Sequence, residues 1–217
     1  MLKITPSILT NDPQEFKKMI NVVEDATDRV QIDVIDGKFV DNKTVDPSIL
    51  NVIETNLKID FQLMTKEPIK WVEKCFRAQA DRIIGHIEMM TDQGEFVKKV
   101  QSLGCKVGLG VDIDTPIEQI NPVLLSDVDV VLLMSYKAGF GGQEFNKEVI
   151  KKIERLDSIR VRDDTPFKIH VDGGINKDTI RGVAKAGADE VSVGRLLFNG
   201  KIEDNINELI RFAYYES

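Results

Sequence analysis

A (β/α)8 barrel is the fold this sequence predicts, and three observations predict it. Short apolar runs alternate with longer amphipathic segments, eight of each, along the chain. No linker or low-complexity stretch divides the 217 residues. Polar residues close the otherwise apolar runs: Ser7, Asp33, Gln62, Glu88, Asp112, Ser135, Asp172 and Arg195. Strand–helix alternation calls for a parallel sheet. Eight units in one undivided chain close that sheet into a single compact barrel domain over 1–217, which keeps its chemistry at the C-terminal strand ends. An open, doubly wound sheet is the plainer alternative.

The elements follow in order. Strands are read near Lys3–Ile8, Val30–Ile35, Lys58–Met64, Arg82–Ile87, Lys106–Val111, Val128–Met134, Phe167–Val171 and Glu190–Val193. Between them lie amphipathic segments such as DPQEFKKMINVVEDA, PIKWVEKCFRAQA, TDQGEFVKKVQSLG and FNKEVIKKIERLDSI. Asp12, Thr91 and Asn146 stand where N-caps belong, and Gly104 and Gly187 where helices stop. AQADRIIGH and AGADEVSVG echo one another as helix end, Asp, strand and polar residue.

Composition narrows the function. A net charge of −7 argues against a nucleic-acid partner, which needs a basic footprint. No apolar run approaches the roughly 20 residues of a membrane span, and MLKITPSILTND has no secretory core. Cys75 and Cys105 read as reduced thiols, so a cytoplasmic protein is expected. A homo-oligomer is the expected assembly.

The stretch Val30–Thr44, VQIDVIDGKFVDNKT, organises the candidate site. Period two puts Gln31, Asp33 and Ile35 on one strand face, and Asp36-Gly37 ends the strand. An aspartate on a buried face is costly unless something pairs with it. KIHVDGGI repeats the design: His170 and Asp172 share a face, and Gly173-Gly174 follows. In a barrel, strands two and seven face each other across the mouth. Two carboxylates on opposite sides of a small substrate can remove a proton from one face of a carbon and return one to the other, inverting it. The plainer reading is two aspartates that cap glycine turns.

Three strand-end turns are glycine-rich: Ala138–Gln143 (AGFGGQ), Asp172–Gly174 (DGG) and Val193–Arg195 (VGR). Backbone N–H groups in such turns approach an anion closely, and the loops after strands seven and eight commonly hold phosphate in this fold. Arg195 adds a charge-assisted contact. Ordinary tight turns are the alternative. The two histidines, His86 and His170, have inward parity, beside Glu88 and Asp172 respectively. No HxH or HExxH spacing accompanies them, so a metal site is weakly supported. Met64 and Met134 end strands three and six, where core filling is the simpler role.

PSIL, IDVIDGKFV-N, QLM, LLMS with GFGGQ-F, and VDGGI, in this order, resemble the ribulose-phosphate 3-epimerases and their relatives that act on hexulose phosphates. The resemblance runs from Ile4 to about Phe198. It implies a (β/α)8 barrel that epimerises a ketose phosphate at C3 through an enediolate, with Asp33 and Asp172 as the acid and base. It also implies substrate contact by Ser7, pocket lining by Met64 and Met134, a site role for His86, and phosphate binding by Gly139, Phe140, Gly141, Gly142, Gly173, Gly174 and Gly194.

The departures are equally specific. The family's HxDxMDG is QxDxIDG here, and its HLM is QLM. The two family histidines and two aspartates hold a divalent metal, usually zinc or iron. Gln31 and Gln62 replace those histidines, and an amide oxygen is a much poorer zinc ligand than imidazole. No cofactor is therefore expected. Asp33 and Asp172 alone would hold a hard cation such as magnesium weakly. His170 stands where the family has glutamate, and Arg195 where it has serine. Asp112-Ile113 replaces Asn-Pro, and Tyr136-Lys137-Ala138 also departs from the pattern. Gln31, Gln62, His86, His170 or Lys137 must supply donors in place of the metal. The leading expectation is a ketose-phosphate 3-epimerase with a small phosphorylated sugar as ligand. The alternatives are another phosphosugar isomerase or lyase on this barrel, and a non-catalytic phosphosugar-binding protein.

Overall fold

The computed structural model describes residues 1–215. Glu216 and Ser217, inside the expected domain limits of 1–217, lie outside the described residues. Eight strands among those residues form a closed parallel barrel in chain order. They are β1 (Lys3–Ile8), β2 (Arg29–Ile35), β3 (Lys58–Met64), β4 (Ala80–His86), β5 (Lys106–Val111), β6 (Val130–Met134), β7 (Lys168–Asp172) and β8 (Glu190–Val193). The first and last strands close the ring, Lys3 opposite Glu190 and Ile4 opposite Val191. The open-sheet alternative is thereby excluded.

The crossovers differ from the expected eight helices. Six α-helices occur among the described residues: α1 (Pro13–Glu24), α2 (Val72–Arg77), α3 (Gln93–Ser102), α4 (Glu148–Asp163), α5 (Ile180–Lys185) and α6 (Ile202–Tyr214). After β2 and β5 the chain crosses through 3-10 turns instead, Pro47–Val52 in the first and Ile117–Gln119 and Pro122–Ser126 in the second. Each proline sets the backbone angle for a first turn, and Asp46 and Asn121 cap those turns by accepting from Ser48 N and Val123 N. These segments are too short for an α-helix of several turns.

Capping follows the sequence closely at one end of most helices. Asp12 accepts from Gln14 N and Glu15 N at the start of α1. The cap of α3 is Asp92 rather than Thr91, with Asp92 accepting from Glu95 N. Asn146 Oδ1 accepts from Glu148 N at 2.9 Å, one residue before the Lys147 cap. Gly104 and Gly187 follow α3 and α5 in the left-handed conformation that stops a helix without a Cβ clash.

Helices and strand exteriors share the main apolar core. The barrel interior is divided. Ile35, Met64, Ile84, Val130, Leu132 and Met134 form a separate apolar cluster. Beside them lie buried polar side chains: Gln31, Asp33, Gln62, His86, His170, Asp172 and Ser192. At the other end of the barrel lies a charged layer. Arg82, 3% exposed, donates to Asp60 at 2.6 Å and to Glu190 at 2.7 Å. Arg29 also pairs with Asp60, and Lys168 with Glu190 at 3.0 Å. Buried charges of this kind are tolerated because each has a partner of opposite sign. Among the described residues no helix is long and apolar enough to cross a membrane.

Candidate active site

The pleat delivers the site. In the β2–β3 register Asp33 lies opposite Gln62, and Gln31 opposite Asp60. In the β7 registers Asp172 lies opposite Met134 on one side and Ser192 on the other. Inward residues at one height therefore converge. Gln31 Nε2 donates to Asp33 Oδ1 and to Asp172 Oδ2, at 2.9 Å each. The two strand-end aspartates thus meet at one end of the barrel, on either side of one amide nitrogen.

Above them opens a cavity of about 340 Å³, within the lower part of the roughly 300–1,000 Å³ usual for small-molecule sites. Its floor includes Asp33, Asp172, Met64, Met134 and Ser192, and its walls include Ser7, Tyr136 and Ile175. Gly139, Phe140, Gly141 and Gly142 from the loop after β6, Gly173 and Gly174 after β7, and Gly194 and Arg195 after β8 line the opposite side. All three glycine turns singled out in the sequence thus face one cavity. Gly142, at φ +82°, leaves room for the Arg195 guanidinium, which a Cβ there would strike. Gly173, at φ +104°, allows Ser135 and Tyr136 to pack against the turn. The rim is braced across the mouth: Asn42 Nδ2, after β2, donates to Gly139 O at 2.6 Å.

Four expected substrate-contacting residues lie elsewhere. Gln31, Gln62, His86 and His170 are fully buried and sit under the cavity, not on its wall. They form a supporting layer. Gln31 Nε2 also reaches Gln62 Oε1 at 2.6 Å. Gln62 Nε2 faces His86 Nε2 at 3.0 Å, and His86 Nδ1 faces Glu88 Oε2 at 3.1 Å. Burial pushes the Glu88 carboxyl up, but the His86 contact and backbone N–H groups outweigh it and hold it at about 2. Lys137 is exposed and pairs with Asp114 at 3.2 Å, so it brings no charge to the cavity. Two polar strand ends have structural roles: Asp112 Oδ1 accepts from Ala138 N at 3.0 Å, and Ser135 Oγ donates to Gly173 O at 2.6 Å.

Both aspartate carboxyls are pushed up. For Asp33 burial is the largest cause, then the charge of Asp172, with the Gln31 hydrogen bond opposing both. For Asp172 burial again leads, opposed by His170 and by the Gln31 hydrogen bond. Proton counting agrees. The Gln62 amide end that accepts from Gln31 lies 2.7 Å from Asp172 Oδ2 and 3.1 Å from Asp33 Oδ1. Turning the amide would give both carboxylates a donor but set its NH2 group 2.6 Å from that of Gln31. Leaving the oxygen there works if one aspartate carries a proton and donates it to Gln62 Oε1, which frees both Gln31 N–H groups for the two aspartates. Two close, buried carboxyls sharing one proton are the expected outcome of like-charge coupling.

The sequence matches the model of the "Ribulose-phosphate 3 epimerase family" over residues 3–198. It is 35% identical to the ribulose-phosphate 3-epimerase of Bacillus subtilis (strain 168), over 91% of this chain and 93% of that one. The chain belongs to the ribulose-phosphate 3-epimerase family. This is a family of isomerases. Similarity extends to the chloroplastic ribulose-5-phosphate-3-epimerase of Arabidopsis thaliana, 34% identical over 91% of this chain and 72% of that one. Among solved structures, a mutant tryptophan synthase alpha-subunit from Pyrococcus furiosus superposes with a TM-score of 0.67 over 97% of this chain and 99% of that one. At 17% identity that likeness speaks for the fold alone.

As a ribulose-phosphate 3-epimerase family member the chain has an unusual centre, and its donor set does not fit a transition metal. Gln31 turns its N–H groups, which cannot ligate, toward both carboxylates, and its oxygen toward Ser192. Among the described residues no cluster of three His, Cys, Asp or Glu side chains is arranged to hold a metal ion. Tyr136 and Ser192 were not foreseen as site residues. Tyr136 is visible in sequence only as a departure from the family loop. Ser192 carried one usable signal, its period-two parity with Gly194.

Proposed function

We propose that this protein epimerises a ketose phosphate of the ribulose 5-phosphate/xylulose 5-phosphate type at C3, by proton transfer between Asp33 and Asp172. The carrying observation is the pair of carboxyls on either side of the Gln31 amide nitrogen, at the floor of a cavity walled by three glycine turns. Kinship with named ribulose-phosphate 3-epimerases supports the reaction class.

In the resting state one carboxyl is ionised and its partner protonated. The ionised carboxylate takes the C3 proton, and the electron pair moves toward the C2 oxygen to give an enediolate. The protonated partner then delivers its proton to the opposite face of C3. The stereocentre inverts, and the proton has changed sides of the dyad. Positioned acid–base groups contribute about 10²–10⁴-fold each. The phosphate rests on the backbone N–H groups of Gly141–Gly142, Gly173–Gly174 and Gly194, with the Arg195 guanidinium as counter-charge. Tyr136 carries a hydroxyl into the cavity whose proton is held tightly by burial and by the nearby aspartates, so it serves as a donor.

No step runs through a metal ion in this reading. A hard cation such as magnesium would have to displace the Gln31 NH2 group to reach both carboxylates, so it binds weakly at best. The enediolate is instead stabilised by the amide N–H donors of Gln31, set in the buried floor between the carboxyls. A single preorganised donor of this kind is worth about 2.7–4 kcal/mol. We propose further that the protein is cytoplasmic, self-associates and takes no nucleic-acid or membrane partner.

Tyr136 and Arg195 leave a second reading, another phosphosugar isomerase or lyase on the same scaffold. Incubation with a panel of pentulose and hexulose phosphates in D2O separates the two. Deuterium at C3 of a pentulose phosphate, with both epimers present, supports the first. An aldose phosphate or cleavage products, without C3 exchange, support the second.

A further inference from the structure

The centre carries a hydrogen-bond chain that the proton transfer itself does not use. His170 Nε2 lies 2.7 Å from Ser192 Oγ. Ser192 Oγ donates to Gln31 Oε1 at 2.6 Å. Gln31 Nε2 then donates to the two aspartates. His170 and Ser192 are 0% and 1% exposed, so side chains close this chain of contacts. We propose that His170 and Ser192 are positioning residues that lock the Gln31 amide with its NH2 group between the catalytic carboxyls.

The donor directions follow from counting protons. Ser192 has one hydroxyl proton. If it went to His170 Nε2, Gln31 Oε1 would lose its donor. The amide would then turn to offer its NH2 group to Ser192, and its oxygen would meet carboxylate oxygens on two sides. Such an arrangement costs at least one buried, unsatisfied contact. The consistent solution has His170 Nε2–H donating to Ser192 Oγ and Ser192 Oγ–H donating to Gln31. The far nitrogen supports it: His170 Nδ1 lies 3.5 Å from Arg82 Nη2 and 3.3 Å from Glu190 Oε2. With Nδ1 accepting from Arg82, or with both ring nitrogens protonated and Nδ1–H directed at Glu190, Nε2 keeps its hydrogen. The chain is thereby anchored in the charged layer at the opposite end of the barrel, where Arg82 also holds Asp60 and Glu190.

An unlocked amide would flip between orientations and lose its donors to the dyad for part of the time. Misplacement on this scale costs up to about 10²-fold in rate. Substrate binding should change little, because Gln31, Ser192 Oγ and His170 are not what the phosphate loops present.

The deepest part of this proposal rests on the epimerase reading, so the test has one arm that does not. Ser192→Val and Ser192→Thr add the same bulk to β8 and differ by one hydroxyl. The valine variant should lose about tenfold or more in kcat with KM changed less than about twofold, and the threonine variant should recover most of kcat. In 15N-labelled protein without substrate, the Gln31 side-chain NH2 protons should exchange with solvent about tenfold faster in S192V than in S192T, while backbone protection of the strands stays equal. If both bulky variants misfold, Ser192→Ala against the unmodified protein gives the same two comparisons. A protein that incorporates no deuterium at C3 fails the epimerase reading alone, and the exchange arm still decides. Equal Gln31 exchange with and without the hydroxyl overturns the proposal.

Discussion

The side-chain amide of Gln31, on β2, donates to the carboxyl of Asp172, on β7, across the barrel at 2.9 Å. Its nitrogen therefore occupies the ground between the two aspartates. This one contact carries the proposed reading of the centre. The aspartates are bridged by a neutral donor that cannot ligate, and their mutual repulsion is met by a shared proton. In the proposed mechanism, acid, base and bridging donor are then all in place before substrate arrives.

Removing one carboxyl should separate exchange from epimerisation. In Asp33→Asn or Asp172→Asn the surviving aspartate can still take a proton from its own face and return a solvent-derived one there. Epimerisation should fall by about 10²–10⁴-fold. Each variant should still exchange C3 deuterium into one epimer with retention, and the two variants should favour opposite epimers. Nuclear magnetic resonance of sugar phosphates recovered from D2O reads this. Equal exchange into both epimers by either variant would contradict the pairing.

Stability should report the raised carboxyl of Asp33. A carboxyl whose folded value lies above its unfolded value contributes stability fully present below the unfolded value, and loses it as pH rises through the folded value. Asp33→Asn lacks this dependence. Its melting temperature should therefore exceed that of the unmodified protein at about pH 8, with the gap closing toward about pH 4. Thermal melts across that range check it, and a gap that widens toward low pH would be the wrong sign.

Arg195 tests the phosphate side of the cavity. Its guanidinium packs against Gly142, within the lining. Arg195→Ala should weaken sugar-phosphate binding about tenfold, if the contact supplies about 1.4 kcal/mol. Isothermal titration with the unreacting phosphate analogue of the bound sugar measures it. Unchanged affinity would mean that the backbone turns hold the phosphate without this charge.

The charged layer under the site should be costly to break. Arg82→Met would leave Asp60, fully buried, and Glu190 without their shared partner. A loss of about 3–5 kcal/mol is expected from stranding buried charges in this way. Urea unfolding measures it, and a loss below about 1 kcal/mol would show that water or Arg29 and Lys168 compensate.

Much of this was legible before any coordinates. Alternation and the absence of a divide gave the barrel, and period-two parity placed Asp33 and Asp172 at strand ends facing inward. The glycine turns were legible because each ends a strand read from its own apolar run. Depth was not. Gln31 and Asp33 differ by one step along the same strand face, yet one is sealed beneath the cavity and the other opens into it. The stagger of neighbouring strands decides that difference, and it emerges only when the ring closes. The 3-10 crossovers after β2 and β5 were hidden because their prolines suit a helical first turn as well as a 3-10 turn. Ser192 was hidden for another reason. Its role lies in a partner 161 residues away in sequence, Gln31, and small polar strand residues are common.

The most direct test is of acid–base epimerisation without a resident metal. Protein purified without chelator is assayed for transition metal, dialysed against a strong chelator, and incubated with ribulose 5-phosphate in D2O. The account predicts far less than one zinc or iron per chain, and undiminished appearance of C3-deuterated xylulose 5-phosphate after chelation. One tightly held transition metal per chain, or exchange that stops on chelation and returns with zinc or iron, would contradict it.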